Sequence, residues 1–220
     1  SRCYVFSSLD VSKYFMHRFA LGRAFKRYTK HLQKMGVDGI KIIEGKPNIR
    51  KGLPIPNFDD KVWDPFWTYC EKSEFPILMH LNDPEEFWDI NKIPAWAKSQ
   101  GWYYDNSFVN NEEQYQQLLN VLEKHPRLKI IFAHFFFMSK QLNRLSKILD
   151  QYPNVMIDLT PGIEMYFNFQ NDIKASKQFF LKYQDRIIYG TDIGARAVLA
   201  KKELNDKECL TRAELVRAFL

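Results

Sequence analysis

Two histidines and an aspartate stand at the ends of three similar apolar runs: ILMH at 77–80, IIFAH at 130–134 and IIYGTD at 187–192. Each run stops on a side chain able to bind a metal: His80, His134 or Asp192. Imidazole nitrogens and carboxylate oxygens hold divalent ions in hydrolytic centres, where the ion activates water. The three lie more than 50 residues apart in sequence, unlike the compact ligand spacing of a structural zinc finger. Taken alone, His80 also reads as a hydrogen-bonded core histidine, and Asp192 as the N-cap of a following helix. An unpaired buried carboxylate costs several kcal/mol, so Asp192 needs a metal, a cation or a helix N-terminus.

The elements that must position these residues follow from the same runs. A continuous apolar run reads as a parallel strand buried on both faces. In a (β/α)₈ barrel the C-terminal strand ends carry the active site. The pattern predicts strands over Cys3–Ser8, Gly39–Glu44, Pro76–Leu81, Lys129–His134, Val155–Leu159 and Arg186–Thr191. Helices are expected over Leu21–Met35, ended by Gly36, and over Asp64–Lys72, with Pro65 in its first turn. Glu112–Lys124, Lys140–Gln151 and Ile173–Tyr183 supply three more. By strand alternation His80 shares a face with Leu78, and His134 with Phe132 and Ile130. The stretch Leu81–Val109 is long, aromatic and interrupted by proline, as lids and binding loops are. The architecture expected is α/β: a (β/α)₈ TIM barrel, incomplete, with about six βα units in one domain over residues 1–220.

Composition narrows the function. The chain has 220 residues, 45% of them hydrophobic and 15% aromatic, which excludes a disordered chain. Its net charge of +6 favours anionic small molecules, but no dense basic block or helix-turn-helix pattern supports nucleic acid. Cys3, Cys70 and Cys209 are few, distant and odd in number, which fits a reducing, cytoplasmic setting. No run approaches the roughly 18 apolar residues of a membrane span, and no signal-peptide pattern opens the chain. The start on strand-like CYVFSSLD without Met, and the close on helical AELVRAFL, lead us to expect that both ends are cut.

Five strings carry a resemblance: GVDGIKIIEGKP (36–47), DPFWTYCEKSEFPILMHLNDPEEFWD (64–89), HPRLKIIFAHFFF (125–137), YPNVMIDLTPGIEMY (152–166) and YQDRIIYGTDIG (183–194). In content and order they resemble the amidohydrolase superfamily, in its amidohydrolase-related (amidohydrolase-2) branch of metal-dependent TIM-barrel hydrolases. The resemblance implies that His80 is a metal ligand. It implies that His134 binds a second metal or acts as acid or base, and that Asp192 binds metal or takes a proton from the nucleophilic water. A divalent ion is expected, zinc first, with manganese or iron as alternatives. The substrate implied is a small carboxylated metabolite hydrolysed by metal-activated water. Decarboxylation, hydration, or a non-catalytic barrel serving as a scaffold are the other readings, and a homo-oligomer remains open.

One departure stands out. The family's first strand carries a His-x-His pair of metal ligands, and none occurs here; His17 and His31 stand alone. Cys3–Ser8 then corresponds to the family's third strand, with strands 1 and 2 absent, and the chain as given is expected to be inactive. Lys41 and Glu44 fall where two-metal members place a bridging residue. They differ by three positions and so face opposite ways on a strand. Glu44 is taken as the inward residue and a metal ligand, the competing reading being a salt bridge to Lys46. Asp158 is placed to hydrogen-bond a neighbouring ligand. Asp83, Glu85 and Glu86 read as the charged start of a helix after Pro84. Trp88, Trp96, Trp102, Tyr103 and Tyr104 can wall a pocket, pack their loop or contact a second copy. Arg50 and Lys51 can hold a substrate carboxylate or be merely solvated.

Overall fold

The computed structural model describes residues 3–17, 19–160 and 162–192, together with Leu210 and Glu214. Six parallel strands run in sequence order: β1 (Phe6–Ser8), β2 (Gly39–Gly45), β3 (Ile77–Leu81), β4 (Ile130–Phe132), β5 (Val155–Asp158) and β6 (Ile187–Ile188). Each strand pairs with the one before and after it. This is the winding of a (β/α)₈ barrel, carried through six of its strands. Among the described residues the sheet does not close, and β1 and β6 are its edges.

Between β1 and β2 come α1 (Ser12–Met16) and α2 (Leu21–Lys34). Helix α2 buries Leu21, Ala24, Phe25, Thr29 and Leu32, a stripe at three- and four-residue spacing. It ends before Gly36, whose φ of +88° is open to glycine but strained for other residues. Helix α3 (Pro47–Gly52) follows β2, and α4 (Asp64–Lys72) begins with Pro65 in its first turn. Phe25, Phe58, Trp63, Phe66 and Trp67 meet there in an aromatic core in which each ring is at most 1% exposed. The long segment after β3 contains the short α5 (Ala95–Ser99). Helix α6 (Asn111–Lys124) is capped by Asn110, whose side chain accepts from the Glu112 amide at 2.9 Å. Then come α7 (Leu142–Gln151), α8 (Ile163–Asn171) and α9 (Ile173–Tyr183).

The two faces of the sheet differ in burial. Ile40, Ile42, Ile77, Met79, Ile130, Phe132, Val155 and Ile157 are fully buried under the helices. On the opposite, inner face the register aligns Lys41 with Leu78, Leu78 with Ile131, and Ile131 with Met156. All four are only half-buried. A closed barrel packs such inner layers against each other from all sides. The edge at β1 leaves Tyr4, Val5, Phe15, Met16 and Phe19 exposed, the apolar surface an open edge leaves uncovered. No described helix is long and apolar enough to cross a membrane.

Several strands are shorter than their apolar runs. The run at Lys129–His134 yields a strand only over Ile130–Phe132, because the chain turns sharply at His134. The pairing of β2 with β3 slips between Ile42 and Gly45, adding one residue to β2. A bulge of this kind breaks period-two alternation.

Candidate active site

His80 lies one residue before the end of β3, with only 6% of its surface exposed. His134 follows β4 by two residues. The two imidazole rings sit edge to face, with centroids 4.8 Å apart. Phe137 flanks both, at 5.3 Å from His80 and 5.1 Å from His134.

His134 reaches this place through an unusual backbone. His134, Phe135, Phe136 and Phe137 have φ of 56°, 56°, 59° and 53°, a complete left-handed turn without glycine. Each such residue costs about 1–2 kcal/mol, so the turn stores roughly 4–8 kcal/mol. Packing offsets this cost. Phe136 stacks on Phe132 at 3.7 Å, and its carbonyl accepts from the Tyr115 hydroxyl at 2.9 Å. Phe135 is enclosed by Phe169, Phe179 and Phe180. Simple alternation put His134 on the face of Ile130 and Phe132, which lies under the helices. The left-handed turn carries the imidazole to His80 instead.

Asp158, the last residue of β5, latches the turn. Its Oδ1 accepts from the His134 amide at 2.8 Å and from the Thr160 amide at 3.0 Å. The Nδ1 of His134 lies 3.2 Å from the Thr160 carbonyl oxygen. A carbonyl only accepts, so Nδ1 carries the proton and Nε2 holds the lone pair. Burial, with the charges of His80, Lys41 and Lys46, holds this imidazole well below its ordinary proton affinity. Burial likewise lowers the Lys41 ammonium, against the pull of Asp158 and Asp192, and raises the Asp158 carboxyl. His134 is therefore a neutral base at physiological pH.

The remaining expected residues are placed as follows. Asp192 is exposed, with φ of 51°, and its charge is felt at Lys41. Lys41 is thus the β2 side chain that shares the space of His134, Asp158 and Asp192. Glu44, expected there, is not brought to the histidines. It is 2% exposed beside Tyr14 of α1, and its Oε2 accepts from the Ile43 amide at 2.9 Å. Lys41, aligned with Leu78 ahead of the bulge, is the one of the two on the inner face. Among the described residues, no three His, Cys, Asp or Glu side chains converge as a metal-binding group.

Arg50, read as a loop cation, is buried in α3 and donates to Gln114 at 3.1 Å, Gln117 at 2.7 Å and Asn57 at 3.0 Å. Gln114 in turn donates to Asn82 at 2.6 Å, so this network braces the chain just after His80. Lys51 is bonded to Ser107. The aromatic residues of the long segment pack on one another: Phe87, Ile93, Ala97 and Tyr104 form a small core of their own, flanked by Trp88, Trp102 and Tyr103. Sequence reasoning overlooked Gly45. A Cβ there would lie 2.3 Å from the His80 carbonyl oxygen, so only glycine lets β2 approach β3 this closely.

The family model described as Amidohydrolase, of the amidohydrolase-2 type, matches residues 18–193. The chain belongs to this amidohydrolase family. Its fold is similar to that of 2,6-dihydroxybenzoate decarboxylase from Rhizobium, with 14% identity and a TM-score of 0.52 over 98% of this chain and 71% of that one. An uncharacterised TIM-barrel protein from Bordetella bronchiseptica matches over 84% of this chain and 61% of its own length, with 15% identity and a TM-score of 0.46. The 5-carboxyvanillate decarboxylase of Sphingomonas paucimobilis matches at 15% identity over 96% of this chain and 64% of that one, with a TM-score of 0.48. This amidohydrolase chain thus spans about three-fifths to seven-tenths of the length of these structures. No curated protein matches it.

Proposed function

We propose that this amidohydrolase chain carries part of a divalent-metal site in an enzyme acting on a small carboxylated molecule. The observation that carries the reading is the His80–His134 pair. Two imidazoles from adjacent parallel strands meet at 4.8 Å, and His134 presents an unprotonated Nε2. Metal–nitrogen bonds of about 2 Å let two rings at this separation reach one ion. The donors fit a divalent ion in kind. A full set requires donors beyond this pair, with Asp192 as the carboxylate candidate, so the described residues alone would hold an ion weakly.

A bound divalent ion would bring a water molecule near neutrality in its proton affinity, or polarise a substrate oxygen. The chain's own residues do the rest. The Nε2 lone pair of His134 serves one task at a time: it holds the ion, or, where His80 and other donors hold the ion without it, it accepts a proton, since burial and its cationic neighbours keep the ring neutral. Asp158 and the Thr160 carbonyl hold that imidazole in orientation and tautomer. Lys41 and Lys46 place positive potential beside it, which attracts a carboxylate. Hydrolysis is the first reading of the reaction. Decarboxylation or hydration uses the same groups, and product analysis separates them.

The test is zinc titration by calorimetry, with activity measured on carboxylated esters, lactones and aromatic acids. We expect weak, substoichiometric zinc binding to this chain, lost in His80→Ala and in His134→Ala. Binding that survives both substitutions, or activity undiminished in His80→Ala, would overturn the proposal and favour a non-catalytic barrel. Tight binding of one ion per chain would show that the described donors suffice and that the partial-site reading is wrong.

A further inference from the structure

His80 has a polar partner that the metal reading does not use. Its Nε2 lies 3.3 Å from Oδ1 of Asp83, three residues on. Asp83 has a side chain only 5% exposed, and its other oxygen, Oδ2, accepts from the Tyr104 hydroxyl at 2.5 Å. The Lys46 ammonium stands 3.8 Å from Oδ1 and 4.7 Å over the Trp102 ring. The chain beneath is fixed as well: the Asn82 backbone amide donates to the Gly45 carbonyl at 3.0 Å, its side-chain amide donates to the Asn111 carbonyl at 3.1 Å, and Asn82 has φ of 68°. Tyr104 and Trp102 both belong to the aromatic segment between β3 and α6, which carries its own small core.

From this geometry we infer that Asp83 is a positioning residue for His80, and that Tyr104 is what holds Asp83 in place. A carboxylate can only accept, so the nitrogen facing it carries the proton. His80 is thereby fixed as the Nε2–H tautomer, with its lone pair on Nδ1. A carboxylate on the far nitrogen also fixes the ring plane. His134 is held in the opposite sense, protonated on Nδ1 by the Thr160 carbonyl. The two adjacent rings then each present one defined lone pair. The aromatic segment reaches into this pair through Tyr104, so its docking sets the state of His80. The metal consequence rests on the proposed function; the tautomer assignment does not.

The experiment is long-range ¹H–¹⁵N correlation of the imidazoles in ¹⁵N-histidine-labelled protein at pH 8, His80 being assigned by its loss in His80→Gln. Wild type should show a protonated Nε2 and an unprotonated Nδ1 at full, unaveraged shifts. In Asp83→Asn the Tyr104 hydroxyl retains the amide oxygen, which turns the amide NH₂ toward Nε2. That donor should invert the tautomer, leaving the proton on Nδ1. Adding Tyr104→Phe releases the amide and should give averaged shifts for both nitrogens. The backbone amide spectrum away from the site checks that each variant is folded. A wild-type His80 protonated on Nδ1, averaged wild-type shifts, or an Asp83→Asn spectrum still showing Nε2–H would each overturn the inference. Zinc titration of the same variants is a separate readout: if His80 is a ligand through Nδ1, Asp83→Asn should weaken binding by about 10- to 100-fold. Failure of zinc to bind wild type would count against the metal reading while leaving the tautomer result standing.

Discussion

The latch between Asp158 and the left-handed turn gives a prediction whose size follows from the structure. Both the His134 and Thr160 amides donate to one oxygen, Oδ1, at 2.8 and 3.0 Å. A hydrogen bond to a charged acceptor contributes about 1.5–3 kcal/mol, so the two together are worth roughly 3–6 kcal/mol. Burial of the carboxylate opposes this, as the upward shift of its proton affinity shows. Asp158→Ala removes both terms, and we expect a net loss of about 2–4 kcal/mol. Asp158→Asn keeps an oxygen where both donors converge and loses only the charge, so its cost should stay below about 1.5 kcal/mol. Urea unfolding followed by tryptophan fluorescence measures both. The His134 amide should also move in the NMR spectrum of the alanine variant, because the roughly 4–8 kcal/mol of left-handed strain is no longer opposed at its first residue. Equal losses in the two variants, or a loss under about 0.5 kcal/mol in Asp158→Ala, would refute the latch.

Three further predictions follow from the same environment. Gly45→Ala places a methyl against the His80 carbonyl and should cost about 1–3 kcal/mol while shifting the His80 ring signals; an unperturbed His80 would show that the strands can separate freely. Glu44 has its proton affinity raised by burial, so its neutral form favours folding and that contribution is lost as pH rises above the ordinary glutamate range. Glu44→Gln should therefore be neutral or stabilising at pH 7 in urea unfolding, and should leave zinc affinity unchanged; weaker zinc binding would return Glu44 to the ligand set. His134 has its proton affinity lowered, so stability is complete above about pH 6.5 and falls as the unfolded chain takes up a proton below it, by at most about 1.4 kcal/mol per pH unit. His134→Gln should flatten this part of a urea midpoint series between pH 7.5 and 5, and an unchanged slope would assign it elsewhere.

The sheet was legible because parallel strands advertise themselves as apolar runs. ILM at 77–79 and II at 130–131 are strands in the structure, and their order follows from the alternating helices. Gly36 and Pro65 marked a helix end and a helix start for reasons of backbone conformation that hold in any context. The site was legible only in part. His80 and His134 could be picked out as candidates by residue type and position, and the structure brings their rings together. The turn that joins them could not, because phenylalanine has no preference for positive φ and only the packing of Phe135 and Phe136 makes it affordable. Glu44 was preferred to Lys41, and strand alternation says only that the two face opposite ways, not which of them faces inward. Arg50 read as a solvated loop charge because nothing local shows that Gln114 and Gln117 converge on it from α6. Asp83 read as the start of a helix, and its partner Tyr104 lies 21 residues away.

These misses share a cause that bears on the chemistry. What tertiary structure adds here is a set of fixed acceptors behind the histidines and a set of cations beside them. The Thr160 carbonyl faces His134, and the Asp83 carboxylate faces His80. Lys41, Lys46 and His80 each lower the proton affinity of His134. An imidazole in this field holds a lone pair at neutral pH without first releasing a proton, as both a metal ligand and a general base require. The same field is unfavourable to a free cation and is relieved by an anion. A divalent ion would therefore bind to this pair most readily together with a carboxylate, whether that of Asp192 or one on the substrate. Under the function proposed above, this coupling would favour a carboxylated substrate, and two histidines without such an anion would bind an ion weakly.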